Sequence, residues 1–365
     1  MDKNLIPAEV FPPGLFIKEE MEARGWSQAD LAEIMGRPVQ VINEILTAKK
    51  SITPDTAKEL AAAFDVHPQL FLNLDNLYRL SLSKTETEKV ARRARLFARA
   101  PVRELIKRGW ITGSADLAEL ERQVCEFLGI ASLDDESPCS FAARKGDGYE
   151  DVGPGQVAWF CRCRHLAGRR LPAAPFDAEA FRRVAAALPR EFADEDSLVR
   201  LPEYLTGHGV TLVLLEPLPG TKIDGAAFWL DGHPVVAVSV RYDRVDSFWF
   251  TLMHELAHIV LHGPGHANLD LDLVGPSAAA RDAKPATEQE ADRQAAEWLV
   301  PPAEMSKFVG ETSPYYSHDR IEAFAGRIGV HVGVVVGQLQ YRGEIGWGHS
   351  RKFLVKVRHI LPMES

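Results

Sequence analysis

Cysteine is scarce. Cys125, Cys139, Cys161 and Cys163 are the four in 365 residues, a density that excludes a disulfide scaffold. The run Cys161-Arg162-Cys163-Arg164-His165 has no second ligand pair at zinc-site spacing, so buried or half-exposed free thiols are expected there. Positive charge is short as well: 42 Lys+Arg stand against 51 Asp+Glu, a net charge of −9. That balance argues against a chain that coats nucleic acid through bulk charge, so any such contact has to be local. Nowhere does the sequence approach the ~18 uninterrupted apolar residues of a membrane span. Its first residues, MDKNLIPAEVFPPG, lack the apolar core of a secretory signal. A cytoplasmic protein without membrane contact is the expectation. With 46% hydrophobic and 25% charged residues, wholesale disorder is excluded too.

The length predicts two or three cores. The patterning divides the chain into residues 1–83, short helices; 84–200, a helical middle region; 201–310, mixed strands and helices; and 311–365, a helical C-terminal extension. The fold class is therefore α+β and multi-domain.

In the first part, Gly14–Arg24 is helical and Gly25 stops it. Ser27 is an N-cap with Asp30 three residues on. Leu31, Ile34 and Met35 mark the buried face of the second helix, and Gly36 ends it. PVQVINEIL forms the third, Thr53-Pro54 opens the fourth, and His67-Pro68 opens the fifth. Five short helices with a Gly-containing turn at Gly36 form a helix-turn-helix architecture. Residues 1–80 carry 8 Lys+Arg and 12 Asp+Glu, a net of −4 that makes DNA binding weak or dependent on a homodimer, with a fold used only for protein contact or dimerisation as the alternative. Residues 84–108 then carry nine Lys+Arg and three Glu. That net of +6 reads first as a solvated helix face, and second as a phosphate-contacting or docking surface.

Strands follow at GVTLVLLEP, AAFWLDG and PVVAVSV, with Asp231-Gly232 as a hairpin turn. The next helix, Asp243 to His262, contains His254-Glu255-Leu256-Ala257-His258. Residues i and i+4 share a helix face, so His254 and His258 can offer two imidazole nitrogens to one ion. Glu255 can reach a water there as general base. Two histidines on an otherwise apolar helix would be costly without such a partner. Met253, Leu256, Ala257 and Val260 can face the core. A downstream helix, TEQEADRQAAEWLVPP, is read as capped by Thr287 and stopped at Pro301-Pro302. It offers Glu288 as third ligand, with Asp292 one turn on to hydrogen-bond a ligand histidine. Glu290 is the rival to Glu288; two residues apart on a helix, they cannot both face one ion. Two histidines and a carboxylate leave a fourth position open, the catalytic pattern. His262 could line the cleft or meet the helix-end carbonyls. His266 and Asp270, in the long segment between the two helices, are further candidate substrate contacts.

Two resemblances follow from these residues. The run RGWSQADLAEIMGRPVQVINEILTAKKSITPDTAKELAAAFDVHPQLFLNLDNLY resembles the XRE-type domain of the HigA antitoxin family. That resemblance implies DNA contacts from Arg37, Gln40, Val41, Asn43 and Glu44, with Thr47, Lys49 and Lys50 near phosphates. FTLMHELAHIVLHG and TEQEADRQAAEWLVP together resemble the ImmA/IrrE family of metallo-endopeptidases. This second resemblance implies a zincin-like (gluzincin) peptidase with zinc, or manganese, on His254, His258 and Glu288, and Glu255 as catalytic base. It also implies a protein substrate, a repressor or antitoxin-like partner cut to change transcription. The alternative is a DNA-binding antitoxin or autorepressor of a toxin–antitoxin module, its metal domain a sensor or inactive.

Overall fold

The computed structural model describes residues 10–83, 87–137, 153–264, 268–271 and 285–365, with backbone alone over 268–271. Cys139 and His266 lie outside the described residues, and of Asp270 only the backbone is described. The chain forms two compact units, Met1–Glu88 and Lys89–Ser365.

The first unit packs α1 (Pro13–Arg24), α2 (Gln28–Ile34), α3 (Val39–Leu46), α4 (Pro54–Phe64) and α5 (Pro68–Leu82). Its helix starts follow from capping. Ser27 and Asp30 form a reciprocal capping box on α2, Thr53 caps α4 ahead of Pro54, and the His67 ring accepts the Gln69 N–H at the start of α5, each pairing an orphan N–H. Ile17, Leu31, Ile42, Leu60, Phe64 and Phe71 are the centre of its core. Gly14 is required there: a Cβ would stand 2.0 Å from the Leu46 carbonyl oxygen, so α1 meets the end of α3 backbone to backbone. Ile34 does not join the core; it is 49% exposed. On a two-turn helix Leu31, Ala32 and Met35 take the inward arc and leave Ile34 about 100° away from its centre.

The second unit is built around a four-stranded sheet: β1 (Thr211–Leu214), β2 (Ile223–Leu230), β3 (His233–Val238) and β4 (Asn268–Leu271) in the order β1-β3-β2-β4. β2 and β3 are an antiparallel hairpin turning at Asp231 and Gly232, both with positive φ, the demand of a tight primed turn. β1 runs parallel to β3 and β4 antiparallel to β2. Both faces of the sheet are covered. Leu212, Leu214, Ala227, Val236 and Val238 enter one core; Val213, Leu215, Ala226, Phe228, Val235 and Ala237 enter another. Burial on both sides explains strands that are continuously apolar rather than alternating.

Behind the second face lie α6 (Thr87–Arg99), α7 (Val102–Lys107), α8 (Leu117–Leu128) and α9 (Pro154–Gly168). Cys161 and Cys163, on α9, are buried, and Cys125 is half-buried. On the first face, α10 (Ala178–Glu191), α11 (Leu201–Gly207), α12 (Val245–His262), α13 (Ala286–Leu299), α14 (Pro302–Thr312), α15 (His318–Ile328) and α16 (Val332–Tyr341) share one core with the C-terminal segment through Leu361. The helices from α6 to α9 thus cover one face of the sheet, while α10 already joins the helices after residue 200 on the other, so residues 84–200 are not a separate middle region. The N-cap of α13 is Pro285, not Thr287. α13 ends at Leu299 with Val300 as its C-cap and Pro301 next, and Pro302 opens α14 at its first turn, which its fixed φ and missing N–H permit.

Candidate metal centre and nucleic-acid interface

α12 is the central helix of its layer and is buried on nearly all sides from Val245 to Val260. Its polar side chains are therefore not a solvated face: His254 and Glu255 are fully buried, His258 and Glu288 nearly so. α13 lies against it and delivers Glu288 from its first turn. The resulting cluster of His254, His258 and Glu288 has one potential ligand atom from each residue, all within 4.8 Å of one another.

Donor separations test whether an ion fits. The two Nε2 atoms are 2.9 Å apart. Glu288 Oε2 is 3.2 Å from His254 Nε2 and Oε1 is 3.4 Å from His258 Nε2. Bonds of ~2.0–2.1 Å to a tetrahedral ion give edges of about 3.3 Å, so this triangle accommodates one small divalent ion. Burial alone would raise the Glu288 carboxyl, yet its hydrogen bonds to His254 and His258 outweigh that and hold it well below the usual carboxylate range. The site therefore presents an anion where a cation would sit.

Around the triangle, Asp292 Oδ1 stands 3.0 Å from His254 Nδ1. A carboxylate at this place can select the tautomer that presents Nε2 toward the other donors and orient the ring. Glu290 is exposed on the other side of α13. His262 Nε2 lies 3.3 Å from the Thr287 carbonyl oxygen, so it reaches across to the first turn of α13 rather than to its own helix end. The rings of His254, His258 and His262 follow one another at centroid distances of 4.6 and 5.3 Å.

Gly225 was not singled out from the sequence. A Cβ on it would lie 2.2 Å from Glu255 Oε1 and 2.9 Å from Cδ. The register of β2 against β4 shifts between Ile223 and Gly225, so an irregular strand passes its bare backbone over the carboxylate. The one available signal was an isolated glycine within a strand pattern, which marks a bulge or a close approach.

In the first unit, Gln40, Asn43, Thr47, Lys49 and Lys50 are exposed on or just after α3, while Arg37, Val41 and Glu44 are half-buried. Several have internal partners. Arg37 makes a two-pronged pair with Glu59 of α4 at 2.5 and 3.0 Å. Gln40 Nε2 donates to Glu44 at 3.3 Å, and the Thr47 hydroxyl donates to the Asn43 carbonyl at 2.8 Å. Val41 packs against the domain core. The exposed set that faces solvent without such ties is Asn43, Lys49 and Lys50.

Among the described residues no helix is long and apolar enough to cross a membrane. Residues 17–71 match the family model described as helix-turn-helix, and residues 207–343 match that of the IrrE N-terminal-like domain, peptidase family M78. The chain is similar to the uncharacterized HTH-type transcriptional regulator YddM of Escherichia coli (strain K12), 31% identical over 84 residues, 23% of this chain and 88% of that one. It is also similar to virulence-associated protein I of Dichelobacter nodosus, 32% identical over 89 residues, 24% and 81% of the two chains. α12 and α13, which carry the candidate metal ligands, fall inside the second matched span, and α3 falls inside the first. The chain thus belongs to the XRE-type helix-turn-helix regulators and carries, in the same polypeptide, an IrrE/ImmA-like domain of the M78 metallopeptidase family.

Proposed function

We propose that this protein is a cytoplasmic metal-dependent endopeptidase coupled to a DNA-binding domain, and that it cleaves a repressor or antitoxin-like protein to change transcription. The observation that carries this reading is the buried donor triangle of His254, His258 and Glu288 with Glu255 beside it. A structural site would be closed by a fourth protein ligand, whereas three ligands leave a position for water and substrate. Zinc suits two imidazoles and a carboxylate, and manganese is the second choice.

When bound, the ion supplies Lewis acidity that makes a water molecule acidic and polarises a carbonyl. The chain's own residues do the rest. Asp292 holds His254 in register. Glu255, kept in place by the backbone at Gly225, accepts one proton from water as its oxygen adds to the peptide carbonyl. It returns that proton to the departing amine nitrogen, so the bond breaks to a carboxylic acid and an amine, which exchange the water's second proton to leave a carboxylate and an ammonium, with one water consumed. The helix-turn-helix unit, acting as a homodimer, brings the enzyme to an operator through Asn43, Lys49 and Lys50.

The test is metal analysis of purified protein together with incubation against the proteins encoded in the neighbouring reading frames. Cleavage by the wild type and none by Glu255→Gln, both holding about one ion, is the expected result. Protein without an ion, or partners left intact by the wild type, overturns the peptidase reading and leaves a DNA-binding antitoxin or autorepressor.

A further inference from the structure

A cleft of about 550 Å³ opens between α6, α8 and the turn that follows α8, and it shares no residue with the metal cluster. Clefts of ~300–1,000 Å³ are the size that takes small ligands. Arg92 and Arg95, three apart on α6, line one wall; Glu121, Arg122 and Cys125, on one face of α8, line the other; and Ile130 to Asp134 close the end.

Charge pairing inside the cleft points to the class of ligand. Arg92 is matched by Glu121 at 3.2 and 2.5 Å. Arg122 is matched by Glu119 at 2.8 Å and by Glu126 at 2.9 Å. These groups neutralise one another. Among the described residues, Arg95 and Asp134 have no such match, with each other or with any other side chain. Asp134 sits on a pinned turn: its N–H donates to Ser132 Oγ, the Ser132 N–H donates to Asp135 Oδ2 at 2.7 Å, and the Arg99 guanidinium donates to the Asp135 carbonyl. Ala118, Ile130 and Leu133 supply apolar surface in the same cleft. A simple anion would meet Arg95 but oppose Asp134, and a simple cation the reverse. A ligand carrying both charges and an apolar body satisfies all three.

We propose that this cleft binds a short zwitterionic peptide of two or three residues, its terminal carboxylate on Arg95, its ammonium on Asp134 and its apolar side chains on Ile130 and Leu133. A free amino acid carries the same charges but fills much less of the volume. The site does not depend on whether the metal centre is a peptidase.

Equilibrium dialysis of the full chain against labelled leucyl-leucine tests the site, with leucine and N-acetyl-leucyl-leucinamide as the other probes. Saturable dipeptide binding is expected, with the blocked peptide not binding. Arg95→Gln and Asp134→Asn are each expected to weaken it about tenfold, the size of one charge-assisted contact, and Arg95→Lys should restore part of the loss. Because Cys125 lines the cleft while Cys161 and Cys163 are buried, bound dipeptide should also slow alkylation of Cys125 by N-ethylmaleimide, read by mass spectrometry of its peptide. No binding, equal binding of the blocked peptide or of leucine, or affinity unchanged in both variants overturns the proposal.

Discussion

Gly225 and Glu255 share one space: the carboxylate of Glu255 occupies the place where a side chain on residue 225 would begin, 2.2 Å from the position of its Cβ. The bare strand backbone thereby leaves the room that the carboxylate of the proposed base occupies. Gly225→Ala is expected to displace the carboxylate by about an ångström. A shift of that size costs on the order of 10²-fold in rate. Because the displaced group is not a ligand, metal content should stay at the wild-type level, and cleavage rate measured beside metal content separates the two effects.

Removal of the ion should be visible in stability. A ligand that binds only the folded state stabilises it by RT ln(1 + [L]/Kd), about 2.7 kcal/mol at a hundredfold excess over Kd. Chelation is therefore expected to lower the melting temperature of the second unit and zinc to restore it. His258→Ala should abolish the response. Glu288→Gln should weaken metal binding strongly, whereas Glu290→Gln, an exposed position, should leave it unchanged. Asp292→Asn should fall between them, at ~10–100-fold weaker, as for a group that orients a ligand. A metal titration of the four variants checks the order.

Local signals in the sequence are legible where one residue type has one physical use. The capping pair of Ser27 and Asp30, the Thr53-Pro54 start and the Asp231-Gly232 turn were all legible, because each satisfies an orphan N–H or a positive φ within a few residues. The spacing of His254 and His258 put both rings on one face for the same reason. What depended on tertiary placement was not legible. Ile34 fits the apolar pattern but lies off the inward arc of a short helix. Thr287 has the chemistry of a cap, yet Pro285 comes first and starts the helix two residues earlier. β4 stands in a Gly- and Pro-rich segment, and its strand character comes from pairing with β2. Gly225 has meaning only against a residue thirty positions away.

His331 should make stability depend on pH. Its Nδ1 accepts the Gly333 N–H at 3.0 Å to cap α16, and Nε2 is 3.4 Å from Glu195. Burial pushes the ring below its ordinary value of 6.5, with Glu195, Asp246 and Asp194 pulling weakly the other way. The unfolded chain then takes a proton more readily than the folded one. The contribution is complete above the ordinary value and is lost as pH falls through 6.5 toward the folded value. His331→Asn, which keeps a capping oxygen, should flatten this part of the profile in denaturant melts taken from about pH 7 to pH 5. An unchanged slope would remove His331 as its source.

Arg37 separates a structural from a DNA-reading role. Its guanidinium is held by Glu59 at two points, tying the turn before α3 to α4. The pair is partly exposed, so Arg37→Ala is expected to cost the first unit about 0.5–1 kcal/mol. Glu59→Gln should cost a similar amount, with the double variant less than the sum. Lys49→Ala and Lys50→Ala touch no such pair. Each should instead reduce the slope of log affinity against log salt by about one, uniformly across DNA sequences, as for a lost phosphate contact. Asn43→Ala, on the exposed face of α3, should relax preference for particular bases while leaving the salt slope in place. Operator binding at three salt concentrations, with melting of the same variants, checks all of this. If Arg37→Ala leaves stability intact and instead removes base preference, Arg37 leaves Glu59 for DNA in the complex, and the ion pair belongs to the free protein alone.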